Sequence, residues 1–365
     1  MTREDLRPLT ALRFAAALLV FLWHVPQTVV AAYTFSLGYA GVGFFFLLSG
    51  FILTYTYHGS FEGALSAEAV RSFYAARIAR VYPLLLATTL IMLAVLAGAG
   101  GFYWSDEPAH VRLAAALSQL LLLQSWFAAR EIHFGINGPA WSLSVEAFFY
   151  ALFPFLAHAL FRAFRGASAL RVIAAAAALW LALTVLEAPL RPQADDWRFY
   201  IFPPARLIDF VVGMMLGVAF LRGGERRRGP LRPMSLEIAA LGAVALLVYV
   251  SPLVPRSLHF AAWLMPAWCC LILVFARGRG PIARLLAHPV PVRLGEISFA
   301  FYLSHLAVIT LLARLLGREH ALFTPVAFAA TLALSFALYH GVEQPLRGRV
   351  RALFSAQPRV LAVAA

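Results

Sequence analysis

Apolar residues run in blocks of about 17 to 23 along this chain, separated by short arginine-bearing connections. An α-helix of that length crosses the roughly 30 Å of hydrocarbon in a bilayer. The blocks predict helices over residues 9–31, 39–57, 81–100, 111–127, 142–161, 170–188, 201–221, 235–250, 258–276, 297–316 and 322–342. Backbone groups in lipid must bond to one another, so open strands are not an alternative. The pattern therefore predicts an all-α, polytopic integral membrane helical bundle.

These eleven candidates cannot all cross. Arginine clusters belong on the cytoplasmic side. They fall at Arg71/Arg77/Arg80, at Arg162/Arg165/Arg171, at Arg222/Arg226/Arg227/Arg228/Arg232, at Arg277/Arg279/Arg284/Arg293 and at Arg347/Arg349/Arg351. Counting from the N-terminus puts the second cluster outside, whereas counting back from the C-terminus puts it inside. The conflict vanishes if residues 111–127 do not cross. That run is short, begins beside His110 and Arg112, and carries Ser118, Gln119 and Gln124, which suits an interfacial or re-entrant helix. About ten transmembrane helices remain, with both termini cytoplasmic. On this count residues 101–140 form an outer cap containing Trp104, Asp106, Glu107, Trp126, Glu131 and His133. Residues 1–346 are expected to form the transmembrane domain and 347–365 a short cytoplasmic tail, with no soluble domain appended. The first apolar run lacks a small-residue cleavage site, so it reads as a retained span rather than a signal peptide.

Composition agrees. The chain of 365 residues is 62% hydrophobic and 13% charged, whereas soluble domains are nearer one quarter charged. A net charge of +13 raises the question of nucleic acid. The arginines, however, lie between apolar runs as membrane orientation requires, and no nucleic-acid partner is expected. Cys269 and Cys270 are adjacent inside an apolar run and read as packing residues rather than as a disulfide, metal site or nucleophile.

Some polar residues inside these runs need a reason to be there. Arg13 and His24 are eleven residues apart, which at about 100° per residue returns to nearly the same helix face. An ionisable side chain at mid-membrane costs roughly 2.5–3.5 kcal/mol on insertion scales, so two on one stripe point to a polar interior. Either alone also fits a snorkelling arginine or a histidine bonded to a carbonyl. Arg77 and Arg80 share a face, and two guanidinium forks can hold a phosphorylated ligand, although a positive-inside anchor has the same look. Ser142, Glu146 and Tyr150 recur at four-residue spacing, with Glu146 about one turn below the outer surface, a depth resembling that of His24. A carboxylate beside an imidazole is a natural general-base pair. Ser298, Tyr302 and His305 line a further face, where interhelical hydrogen bonds explain them equally well. Gly41, Gly43 and Gly50 would let helices or a ligand approach closely.

At these positions the chain resembles the membrane acyltransferase-3 family, bacterial O-acyltransferases that modify sugars and other extracytoplasmic acceptors. The likeness lies in Arg13 and His24 with ten residues between them, in Gly43-Phe44-Phe45-Phe46-Leu47-Leu48-Ser49-Gly50-Phe51, and in Arg77-Ile78-Ala79-Arg80-Val81-Tyr82-Pro83. It continues in Trp141-Ser142-Leu143-Ser144-Val145-Glu146, in Ser298-Phe299-Ala300-Phe301-Tyr302-Leu303-Ser304-His305, and in Glu343-Gln344-Pro345.

The resemblance implies a bundle of about ten helices in the bacterial inner membrane and an acyl-coenzyme A co-substrate, with acetyl-CoA as the default donor. It implies a hydroxyl acceptor, for instance a carbohydrate, and no permanently bound cofactor or metal. His24 and Glu146 are then expected to be catalytic, with Glu146 orienting the ring. Arg13, Arg77 and Arg80 would bind the donor, and Ser49, Tyr82, Ser142, Tyr150, Tyr302 and His305 would support them. The rise from Arg13 to His24, roughly 16 Å at 1.5 Å per residue, suits a pantetheine arm. A transporter or flippase of an envelope lipid or glycoconjugate would also need an inward-facing polar path. Its usual signs, an internal repeat and paired interrupted spans, are absent from the sequence.

Overall fold

Prolines mark where many of the helices begin, at the first-turn positions that cost no hydrogen bond. A computed structural model describes residues 6–25, 34–98, 107–187, 197–223, 232–254 and 263–355. Its helices are α1 (Arg7–His24), α2 (Thr34–Phe61), α3 (Ala67–Gly98), α4 (Ala109–Leu120), α5 (Arg130–His133), α6 (Trp141–Ala163) and α7 (Ala169–Glu187). They continue with α8 (Pro203–Gly223), α9 (Pro233–Val250), α10 (Met265–Ala276), α11 (Pro281–Leu286), α12 (Pro289–Leu315), α13 (Phe323–Leu338) and α14 (Gln344–Ser355). No strand occurs among the described residues.

Eight of these helices are long and apolar enough to cross a membrane: α2, α3, α6, α7, α8, α9, α12 and α13. The shorter apolar α10 and the polar-substituted α1 pack among them. The protein is a multi-pass, all-α membrane bundle. Helix α2 is its axis, with 78% of its apolar window buried, against 11% for α7 and 17% for α9 at the periphery. Helices α1, α6, α8 and α10 pack around α2, and α12 closes on α1 and α3.

Small residues set the closest contacts. A Cβ at Gly213 of α8 would run into the Leu47 carbonyl of α2, and one at Gly50 of α2 into the Phe210 carbonyl of α8. The Gly50 expectation is met at this crossing. Gly41 likewise lies against the Ala16 carbonyl of α1, whereas Gly43 faces Arg206.

Residues 111–127 do not make a crossing helix. Helix α4 stops after 12 residues, Leu122 takes φ 57°, and Leu123 N–H turns back to the Ser118 carbonyl at 2.7 Å. The polar residues that weakened this run fasten the cap to the bundle. Gln119 donates to Thr89 Oγ1 at 2.7 Å and accepts from Asn137 N–H, Asn137 donates to the Leu303 carbonyl, and Gln124 donates to the Ala140 carbonyl. His133 donates to the Phe127 carbonyl at 3.1 Å, and burial holds its imidazole pKa below the ordinary value. Trp126 packs edge-on against Phe148 and Phe202. Trp104 and Asp106 lie outside the described residues.

Several boundaries differ from the apolar pattern. Helix α3 starts fourteen residues before the apolar run at 81–100, so Arg71, Arg77 and Arg80 are helical rather than in a connection. A helix needs no apolar side chains where it projects past the hydrocarbon. Helix α12 similarly starts at Pro289. After α13 a π-turn, Tyr339–Glu343, leads into α14, which packs on α3, so the residues after Arg347 continue as helix to Ser355.

Candidate functional site

Two cavities enter the bundle from opposite ends. The first, about 730 Å³, is lined by the start of α1 (Arg7, Thr10, Arg13), α2 between Val42 and Tyr57, Arg77 and Arg80 of α3, Ser142, Glu146 and Tyr150 of α6, the start of α12, and Arg347. Its lining holds six arginines and two glutamates. The second, about 820 Å³, is lined by the end of α1 with His24, the start of α2, Glu107 and Glu131 of the cap, and the end of α12. Val42 and Tyr302 line both cavities. The partition between them is bonded together: Tyr302 O–H and Ser142 Oγ–H both reach the Pro139 carbonyl at 3.0 Å, and the two hydroxyls lie 2.9 Å apart.

Arg77 sits in an aromatic box in the first cavity. Its guanidinium lies 5.8, 5.7 and 5.6 Å from the ring centroids of Tyr57, Phe73 and Tyr150. It donates to Tyr57 Oη at 3.4 Å, and its Nε has no hydrogen-bond partner. Neither Arg13 nor Arg77 forms a direct ion pair with a carboxylate among the described residues. Arg80 differs. It is ion-paired with Glu343, a carboxylate buried in the π-turn, and its guanidinium lies 4.9 Å from the Phe299 ring. Glu343 was not singled out as a site residue from the sequence. Its signal was an acid at the end of an apolar run facing arginine-rich segments.

Glu146 belongs to this arginine-lined cavity. One of its carboxylate oxygens accepts from Ser49 Oγ at 3.1 Å and from Tyr150 O–H. The expected Glu146–His24 contact is absent: the two line different cavities. Ser142 stands at the partition, so one further turn along α6 carries Glu146 past it, away from His24. Similar depth did not mean the same compartment. Tyr82 lines neither cavity and packs against the core, and Ser298 bonds back to the Gly295 carbonyl.

The partner of His24 comes from α12 instead. His24 Nδ1 lies 2.8 Å from the Val20 carbonyl and 3.1 Å from Nε2 of buried His305. His305 Nδ1 in turn lies 2.6 Å from the Tyr302 carbonyl. His24 Nε2 has no protein partner among the described residues, and His24 lines the second cavity beside Trp23, Phe134, Trp141 and Tyr200. The wall is braced below by an ion pair that sequence reasoning overlooked. Arg206 Nε donates to Asp209 at 2.8 Å, both buried, with the guanidinium 5.1 Å from the Phe46 and Tyr200 rings. Its signal was two opposite charges three residues apart inside one apolar run.

Known proteins share this chain's pattern over nearly its whole length. The family described as "Acyltransferase domain" matches residues 8–340. The acyltransferase MdmB of Streptomyces mycarofaciens is 32% identical, over 90% of this chain and 85% of that protein. The exopolysaccharide production protein ExoZ of Rhizobium meliloti (strain 1021) is 28% identical, over 90% of this chain and 96% of its own length. A Bacillus subtilis (strain 168) protein, YrhL, provisionally named a peptidoglycan O-acetyltransferase, is 25% identical over 85% of this chain and 50% of that protein. No solved structure matches the chain. The match begins in α1 and ends in the π-turn after the last span, and with MdmB's identity over most of both chains it establishes that this chain belongs to the membrane acyltransferase-3 family.

Proposed function

We propose that this protein is a membrane-bound O-acyltransferase that moves an acyl group, acetyl as the default, from cytoplasmic acyl-CoA to a hydroxyl of an extracytoplasmic carbohydrate. The observation that carries this reading is the pair of cavities, one rich in arginine and one holding His24, which open at opposite ends and share Val42 and Tyr302. Arginine clustering on the cytoplasmic side of a membrane supports the first cavity as the donor side, in the bacterial inner membrane with both termini cytoplasmic. The names of ExoZ and YrhL support a polysaccharide or peptidoglycan hydroxyl as acceptor. Trp23, Phe134, Trp141 and Tyr200 give the second cavity flat faces on which a sugar ring can stack.

The chemistry follows from the residues. Arg77 and Arg13 hold the donor's phosphates with charge-assisted hydrogen bonds. Arg80, tied to Glu343, shapes the same wall. The pantetheine arm passes the partition between Val42 and Tyr302 and brings the thioester carbon to His24. His24 Nε2 takes the acceptor's hydroxyl proton as the oxygen bonds to that carbon, then returns a proton to the departing coenzyme A thiolate as the carbon–sulfur bond breaks. Glu146 tunes the donor cavity rather than the imidazole.

Purified protein in nanodiscs, given radiolabelled acetyl-CoA and cell-envelope glycans, tests this reading. Transfer of label to glycan by the wild type, and its loss in a folded His24→Ala variant, is the expected result. Undiminished transfer by folded His24→Ala rejects the base assignment. Passage of unmodified glycoconjugate across the bilayer with no acyl transfer favours a translocator instead.

A further inference from the structure

The proton positions around His24 are fixed by its neighbours. A backbone carbonyl only accepts, so His305 Nδ1, 2.6 Å from the Tyr302 carbonyl, carries its hydrogen. A neutral His305 then has a bare Nε2, which is an acceptor. That nitrogen lies 3.1 Å from His24 Nδ1, whose other neighbour at 2.8 Å is the Val20 carbonyl, a second obligate acceptor. Two acceptors on one nitrogen require a hydrogen there, so His24 is protonated at Nδ1 and bare at Nε2. The bare nitrogen is the one left without a protein partner at the cavity.

We propose that His305 is the positioning residue of this site, holding His24 as the Nδ1–H tautomer with its Nε2 lone pair turned toward the acceptor hydroxyl. This rests on the reading of His24 as the general base. As Nε2 takes the hydroxyl proton, the imidazolium keeps its Nδ1–H on His305 Nε2 and the Val20 carbonyl. Two fixed acceptors thus stabilise the charge without a carboxylate. No net proton leaves the pair, and the proton returns from His24 Nε2 to the thiolate. His305 is about 1% exposed on a proline-started helix and packs beside Phe21, so its ring has no room to turn. In an imidazole dyad the second ring does the work that a carboxylate performs in other sites. The wrong tautomer would present an N–H to a hydroxyl that must lose its proton.

Two measurements test it. In protein labelled with ¹⁵N-histidine, a long-range ¹H–¹⁵N correlation identifies the His24 signal by its disappearance in His24→Gln. The expected wild-type spectrum has the hydrogen on Nδ1. A hydrogen on Nε2 overturns the proposal without reference to any activity. In the transfer assay, His305→Phe is expected to lower kcat about 100-fold with donor KM within about twofold, and His305→Gln, whose amide oxygen reaches the place of Nε2, to recover at least about tenfold of that. Equal losses in the two variants, or wild-type kcat in either, overturn it. If His305→Phe does not fold, the wild-type spectrum and His305→Gln still decide. Full activity in folded His24→Ala would instead remove the base reading, leaving the tautomer a separate result.

Discussion

At the scale of single residues, arginines that look alike in the sequence are expected to fail in different ways. Arg77 has spare donors and no carboxylate partner, so Arg77→Ala should raise donor KM about 10- to 100-fold, the equivalent of one charge-assisted contact of about 1.5–3 kcal/mol. Initial-rate kinetics with varied acyl-CoA check this. Arg80 is bound to buried Glu343, and removing one member of such a pair costs about 3–5 kcal/mol because the other charge stays buried. Arg80→Ala is therefore expected to lower the melting temperature in detergent, and Arg80→Met with Glu343→Gln to recover most of that loss. A melting temperature unchanged by Arg80→Ala would mean the pair carries no structural load. The sequence spacing placed Arg13 and His24 on one face of α1, because helical periodicity alone decides that. It could not separate Arg77 from Arg80, nor Glu146 from His24. Those distinctions depend on Glu343 from a π-turn 263 residues beyond Arg80, and on a partition made by α6 and α12.

Among the elements, the apolar runs were legible because each helix must bury or expose its own length of lipid-facing surface. The arginine-bearing start of α3 was not, since hydropathy is silent about helix that leaves the hydrocarbon. Close packing of α2 on α8 was only half legible. Gly50 stood out beside a serine, but its counterpart Gly213 becomes notable only when the Leu47 carbonyl is seen against it. Gly213→Val is expected to leave little folded protein by fluorescence-detected size-exclusion chromatography, because the obstruction is backbone and cannot move aside. Gly59→Ala is the matched control on α2. Nothing lies within 4 Å of its added Cβ, so it should be neutral or stabilising by about 0.5–1 kcal/mol. Equal behaviour of the two variants would show that the α2–α8 approach is looser than this structure has it.

Over the whole molecule, the proposed function needs the two cavities to open to different compartments, and this turns on one element, the run at 111–127. If it crossed, the cap's Glu131 and the arginine-rich segments of α3 would not lie on opposite sides in the way the donor and acceptor need. Instead α4 stops after 12 residues, and its glutamine is spent on Thr89 and Asn137. A chain that enters and leaves the cap on one face, with ten crossings in all, would return both ends to one side, as the proposed orientation requires. Cysteine accessibility in intact cells is a direct measure. In a background lacking Cys269 and Cys270, a membrane-impermeant maleimide is expected to label Glu131→Cys from outside, while Arg71→Cys reacts only after the cells are opened. Both positions are exposed, so silence at either cannot be put down to burial. Labelling of both from outside would mean an even number of crossings between Arg71 and Glu131. The arginine-lined cavity would then face away from the cytoplasmic thioester it is proposed to receive.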